Sequence, residues 1–487
     1  MASLSDPCRW LQALALLAMA TSAAADPGPS RIPAATAPLA EGRKLLAAGD
    51  RAAAQAKFEE ALRATPGSAE AHDALGFVLG LQGRTDDAVA EFRRAIASNP
   101  ALFDARYHLG ATLWWTGDAD GALGELKEAV RLRPRHAEAR YYLGLTLKRK
   151  GETKPALDEL RQAVKLAPSL AEARLHLGVT LQEMGDFEGA VAELRRAVAL
   201  APGLEDARNS LGLALMQKGE AEEAVATLRA LLADHPDHAA ARHNLGSALM
   251  QKGDLDGAIG VYRELLAGAE GTADDHYNLG MALKQKDEFP EAETELRKAI
   301  ALDPSLPEAH FTLGVVLWQT GRAEEALRSF DDAIAQRADY AEAHYMRATV
   351  LKQQGRLDDA IAGFRESIRR QPASAEAHLS LGQALQQKRD PAAAASLAEA
   401  DRLNKRKADA QAAAFALSAG RGRMDKGDLV GAVASFREAV RLAPENAQAH
   451  FHLALALRKQ GARAEARRHF HEAQRLAPYL EPPGPAG

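Results

Sequence analysis

The sequence predicts an all-α chain, an α-solenoid of about 13 stacked helix pairs, and three observations carry that prediction. The first is a strict period of 34 residues. Gly42, Gly76, Gly110, Gly144, Gly178, Gly212, Gly246, Gly280 and Gly314 keep it, and Ala348 and Gly382 follow in register. The second is helical spacing within each unit. In Ala171–Leu204, the residues Ala173, Leu177, Leu181 and Met184 recur four, four and three apart, on one face of a helix. Phe187, Val191, Leu194 and Val198, four, three and four apart, likewise share one face of a second helix. The third is punctuation. Gly185 ends the first helix, Asp186 caps the second, and Pro202 closes the unit because it cannot continue a helix interior. A helix pair this short cannot bury its apolar faces alone, so it requires neighbours.

With the recurring glycine set at position 8, alanine recurs at position 20 (Ala54, Ala88, Ala122, Ala156, Ala190) and proline at position 32 (Pro66, Pro100, Pro134, Pro168, Pro202). Small residues at these positions let two helices approach at the short end of about 8–10 Å. The 34-residue unit with this signature resembles the tetratricopeptide repeat (TPR), from Ala35 to about Leu480. The resemblance implies a right-handed superhelix of antiparallel pairs with a concave inner groove. It implies no chemistry.

In chain order, Met1–Ala25 differs from all that follows. LQALALLAMA and then TSAAAD read as a bacterial secretory signal peptide cut after Ala25, which predicts a periplasmic or secreted protein. An uncleaved N-terminal anchor is the alternative. The only cysteine, Cys8, precedes the apolar run, so the mature chain has no disulfide or thiol chemistry. Residues 26–34 are proline-rich and read as a disordered linker, and residues 481–487 as a disordered tail. Repeats 1–11 occupy 35–390. No other segment reads as a membrane span.

The eleventh repeat breaks the pattern. No Gly or Pro lies between Pro391 and Gly420, and Gly420 follows Gly382 by 38 residues. The expectation is one long or kinked helical connection over Pro391–Ser418, with 391–412 as the connection and 413–480 as repeats 12 and 13, out of register with the array. The plainer alternative is two ordinary helices with a tight turn near Lys405–Ala408.

Composition excludes several function classes. Net charge is −5, which disfavours a nucleic-acid partner. No P-loop, G-x-S-x-G, H-E-x-x-H or cysteine cluster is present, so no catalytic residue, metal site or cofactor is expected, and the chain is not read as an enzyme. His276, His310, His344 and His378 stand at position 4, one per repeat, where earlier repeats carry Arg106, Arg140, Arg174, Arg208 and Arg242. They read as half-buried side chains with polar tips, not as metal ligands.

The TPR resemblance places positions 2, 5, 6, 9, 12 and 13 of each first helix on the groove. Position 5 supplies Tyr107, Tyr141, Tyr277, Phe311 and Tyr345; position 6 supplies Asn244 and Asn278; position 13 supplies Gln217, Gln251, Gln285, Gln319, Gln353 and Gln387. A glutamine both donates and accepts, so such a row suits an extended peptide backbone. Asparagine at position 6 is similar to the backbone-holding ladder of O-GlcNAc transferase and to the clamp of chaperone-binding TPR domains. The expected function is a non-enzymatic scaffold for other proteins or peptides, in unknown oligomeric state. Recruitment of substrate to a separate glycosyltransferase, or guidance in polysaccharide or surface-protein secretion, are the alternatives.

Overall fold

In the computed structural model the described residues are 36–268, 271–477 and 480. They form 25 α-helices, with no strand among them. The leader, the linker and the tail lie outside the described residues. The chain divides into two compact units, residues 1–265 and 266–487.

The first unit pairs its helices in sequence: α1 (Thr36–Ala47) with α2 (Arg51–Ala64), α3 (Ala69–Leu81) with α4 (Thr85–Ser98), α5 (Phe103–Thr116) with α6 (Ala119–Leu132), α7 (Ala137–Arg149) with α8 (Thr153–Leu166), α9 (Ala171–Glu183) with α10 (Phe187–Leu200), and α11 (Glu205–Lys218) with α12 (Ala221–Asp234). Then come α13 (Ala239–Lys252) and α14 (Leu255–Gly268). The turn inside each pair requires a left-handed residue at position 15. Gly185 takes it at φ 81°, and where glycine is missing Asp287 and Arg389 are held there, at φ 62° and 58°. Asp186 then caps α10, its Oδ1 accepting from the Gly189 N–H at 2.9 Å.

Position 8 is small because the pair is closest there. A Cβ on Gly178 would lie 2.6 Å from Leu194 Cγ, and one on Gly212 would lie 2.6 Å from Leu228 Cγ. Those leucines, like Phe58, Phe92, Leu126 and Leu160, are completely buried.

The second unit continues with α15 (Ala273–Gln285) and α16 (Phe289–Leu302), α17 (Pro307–Gln319) and α18 (Ala323–Gln336), α19 (Ala341–Gln353) and α20 (Leu357–Arg370). Repeat 10 inverts the small-residue rule. Ala348 stands at position 8, and the room it needs comes from Gly363 opposite, where an added Cβ would lie 2.8 Å from the Ala348 Cβ. Gly363→Ala is therefore expected to lower stability by about 1–2 kcal/mol, although alanine is the better helix former by ~1 kcal/mol. Adding Ala348→Gly removes the clash, so a double-mutant cycle by urea unfolding should show coupling of about 1–2 kcal/mol. Additive effects would show that the site relaxes freely.

After α21 (Ala375–Gln387) comes a single 33-residue helix, α22 (Ala393–Asp425), then α23 (Leu429–Leu442), α24 (Ala447–Lys459) and α25 (Arg463–Leu476). No turn occurs at Lys405–Ala408, and the boundary drawn at residue 412 falls inside α22. Its first part is the second helix of pair 11, and its last part is the first helix of pair 12. Thirteen pairs thus use 25 helices. Arg406 occupies the place of the closing proline, and Asn404–Ala412 is exposed apart from half-buried Asp409. Phe436, Ala432, Leu453, Leu457 and Ala466 form a core of their own, with Leu417 and Met424 of α22 packed against it.

Candidate functional site

Within each unit the first helices of successive repeats lie side by side, and their side chains meet 35 residues apart. One seam joins position 5 to position 6 of the next repeat. His108 Nδ1 lies 2.8 Å from Asp73 Oδ1, Asn244 Nδ2 donates to Asn209 Oδ1 at 2.8 Å, and Tyr345 and Ser380 hydroxyls stand 3.3 Å apart. Burial works against charge on His108, yet the Asp73 carboxylate carries its pKa above the ordinary value. The Tyr141 and His176 rings are 5.7 Å apart. Burial, then the Lys148 ammonium, pushes His176 down to about 4, so it is neutral near pH 7.

A second seam joins position 13 to position 12 of the preceding repeat. Gln251 donates to the Met216 carbonyl at 2.9 Å, and Trp318 Nε1 donates to Gln353 Oε1 at 2.8 Å. Arg149 donates to the Trp114 carbonyl while its guanidinium sits 4.5 Å from the centre of the Trp114 ring. Gln251 and Arg149 thereby add a second donor to last-turn carbonyls that already accept from the capping N–H groups of Gly219 and Gly117.

The expected groove residues divide accordingly. Tyr107 is only 6 % exposed and belongs to the core; burial raises its hydroxyl pKa well above the ordinary value. Tyr141, Tyr277, Phe311 and Tyr345 are half-buried, Phe311 resting 5.8 Å from Phe330 and Tyr345 5.7 Å from Phe364 between ring centres. Asn278 is half-buried, as is Asn244, whose amide is committed to Asn209. All six glutamines are exposed. Gln251 and Gln353 are engaged within the chain, whereas Gln285 and Gln319 have no hydrogen-bond partner among the described residues.

Position 4 has a role that sequence reading missed. In most repeats its side chain ties the pair to the turn before it. Arg174 donates to the Pro168 carbonyl at 2.8 Å and pairs with Glu193 at 2.5 Å. Arg106, Arg140, His72 and His276 pair in the same way with Glu125, Glu159, Glu91 and Glu295. The signal was present as a glutamate 19 residues after each of these basic residues. In the last repeat a histidine replaces that glutamate: His450 and His469 meet at 2.9 Å between Nδ1 atoms, and His450 Nε2 lies 2.9 Å from the Pro444 carbonyl. Among the described residues no group of three or more His, Cys, Asp or Glu could hold a metal ion. Among them, too, no helix is long and apolar enough to cross a membrane.

The fold defines an all-α helical-repeat protein whose exposed rows are polar and aromatic. The family model described as the tetratricopeptide repeat matches eight segments, the first six of them overlapping: 39–102, 81–126, 109–171, 145–205, 175–230, 209–274, 277–342 and 345–414. A second model, the TPR repeat, matches 420–461. The chain belongs to the tetratricopeptide repeat family. Similar solved structures include TTC0263, a thermophilic TPR protein of Thermus thermophilus. It is 29% identical over 38% of this chain and 100% of its own, with a TM-score of 0.31. MamA 41-end from Desulfovibrio magneticus RS-1 is 24% identical over 35% of this chain and 96% of its own, at 0.32. YrrB, a TPR protein with an unusual peptide-binding site, is 24% identical over 38% and 96%, at 0.35. No curated protein matches the chain in sequence.

Proposed function

We propose that the chain is a non-enzymatic scaffold that holds an extended segment of another protein along its first-helix rows, and that it works after export across a membrane. The observation that carries the scaffold reading is the division of labour on those rows. Position 5 and 6 side chains and half-buried aromatics hold the helices together, while the exposed amides of Gln285 and Gln319 at position 13 remain for an outside backbone. Export rests on the apolar leader and its Ala-x-Ala end, Ala23–Ala25.

Gln285→Ala combined with Gln319→Ala tests the scaffold reading, because these two amides have no structural bond to lose. Thermal stability is expected to stay nearly constant. Affinity for a partner crosslinked to repeats 8 and 9 should fall by about 1–3 kcal/mol, two net hydrogen bonds' worth, in titration calorimetry. Unchanged affinity would leave the glutamines as surface residues and overturn the backbone-holding role.

A further inference from the structure

Position 12 lies beside the glutamine row, and in the second unit it reads Lys284, Trp318, Lys352 in three successive repeats. The first unit shows what a lysine at this position does when it is neutralised. Lys148 reaches the position 13 residue of the next repeat, Glu183, with its ammonium 2.9 Å from the carboxylate. The same 35-residue step from Lys284 reaches Gln319, and from Lys352 it reaches Gln387. Both are amides, so the neutralising carboxylate is missing at both. Lys284 makes no ion pair among the described residues. Among the described residues Lys352 bonds only to an amide oxygen, Gln383 Oε1, at 2.9 Å. Between them Trp318 is half-buried and held by its Nε1 bond to Gln353, so its ring is a fixed apolar surface.

We propose that this row is the recognition site for an extended acidic peptide carrying a carboxylate, an apolar side chain and a second carboxylate at one-repeat intervals. The inference rests on the scaffold reading above and names its ligand class. Complementarity of charge selects the occupant: two unneutralised ammonium groups flank an indole, which rejects a basic segment and leaves a neutral one without ion pairs. Neighbouring first helices stand about 10 Å apart. An extended chain advances ~3.3 Å per residue, so one repeat corresponds to about three residues. The matching segment has Asp or Glu at i, Leu or Phe at i+3, and Asp or Glu at i+6.

The test uses the full chain and an immobilised array of nine-residue peptides, with Asp, Asn or Lys at positions 2 and 8 and Leu, Phe or Ser at position 5. The expected result is at least tenfold preference for the Asp–apolar–Asp peptides over their Lys counterparts, weakening as salt rises from 50 to 500 mM. Lys284→Glu with Lys352→Glu should transfer the preference to the Lys peptides, and Trp318→Ala should remove the preference for Leu or Phe over Ser. Circular dichroism of each variant verifies that the exposed changes leave the helices intact. Binding without regard to charge would overturn this inference and leave the scaffold reading standing. An acidic preference that survives the double charge reversal would place the site elsewhere and overturn it too. Binding to no peptide of the array would count against both readings.

Discussion

Phe436→Ala is expected to unfold the last two repeats before the rest of the chain. Phe436 is completely buried, and Gly420 of α22 lies directly against its ring. Truncating a buried phenylalanine costs about 3–5 kcal/mol through lost transfer energy and the cavity left behind. In a repeat array each unit is stabilised by its own packing and by its nearest neighbours. The core around Phe436 draws on α23, α24, α25 and the end of α22, and α22 is its covalent route to the array. The loss therefore falls on a small module with few places to spread it. Calorimetry or far-UV circular dichroism should show an early transition accounting for the last helices, with the main transition unmoved. Phe330→Ala, in the middle of the second unit, should instead move the main transition, since repeats flank it on both sides. A single transition shifted as a whole by Phe436→Ala would show that the last repeats melt together with the array.

The second large effect concerns the exposed stretch of α22. Ala408→Pro removes a backbone donor in mid-helix and drives the ring into the preceding turn, costing about 3 kcal/mol of local helix stability. Asn404–Ala412 makes few contacts that could offset this, apart from Arg406 lying 3.6 Å from Glu445. The helix should break there while the repeat cores survive. Spin labels report it directly. With Cys8 replaced by serine, cysteines introduced at Asp401 and Gly422, both exposed, stand 21 residues apart on one helix. At 1.5 Å per residue that is about 32 Å along the axis. The parent chain should give one narrow distance distribution near this value. Ala408→Pro should broaden and shorten it, and should speed tryptic cleavage at Arg402–Lys407. A short or double-peaked distribution in the parent chain would restore the turn near Lys405–Ala408.

Much of this architecture was legible in the chain. Every first helix except that of pair 12, which is the end of α22, begins within a few residues of its predicted start, because glycine and proline act locally and recur at fixed spacing. The joint was visible as a gap in that punctuation, although its helix runs seven residues beyond Ser418, to Asp425. Nothing marks residue 418 as an end, and the next left-handed glycine is Gly427, at φ 79°. A missing proline alone does not make such a joint. Repeat 9 carries Ala338 at that place and still turns, with Arg337 bonded to Glu308 and its guanidinium 4.0 Å from the centre of the Tyr340 ring. Repeat 11 differs by four additional residues, close to one helical turn, in a segment of good helix formers.

By itself the sequence determined the repeat, the pairing of helices, the small residues at their crossings and the rows of side chains one per repeat. These follow from periodicity, a property of a single chain read in order. Only the tertiary structure decided which members of the rows are available. Asn244 and Gln251 share their helix face with Asn278 and Gln285 by sequence, yet Asn244 is committed to Asn209 and Gln251 to the Met216 carbonyl. Lys148 and Lys284 occupy the same position, yet one is neutralised by Glu183 and the other makes no ion pair among the described residues. Each outcome depends on a bond between helices of different repeats. Periodicity places a side chain on a face; whether its hydrogen bonds and charge are already used depends on the lateral register of the neighbouring helix, which packing sets.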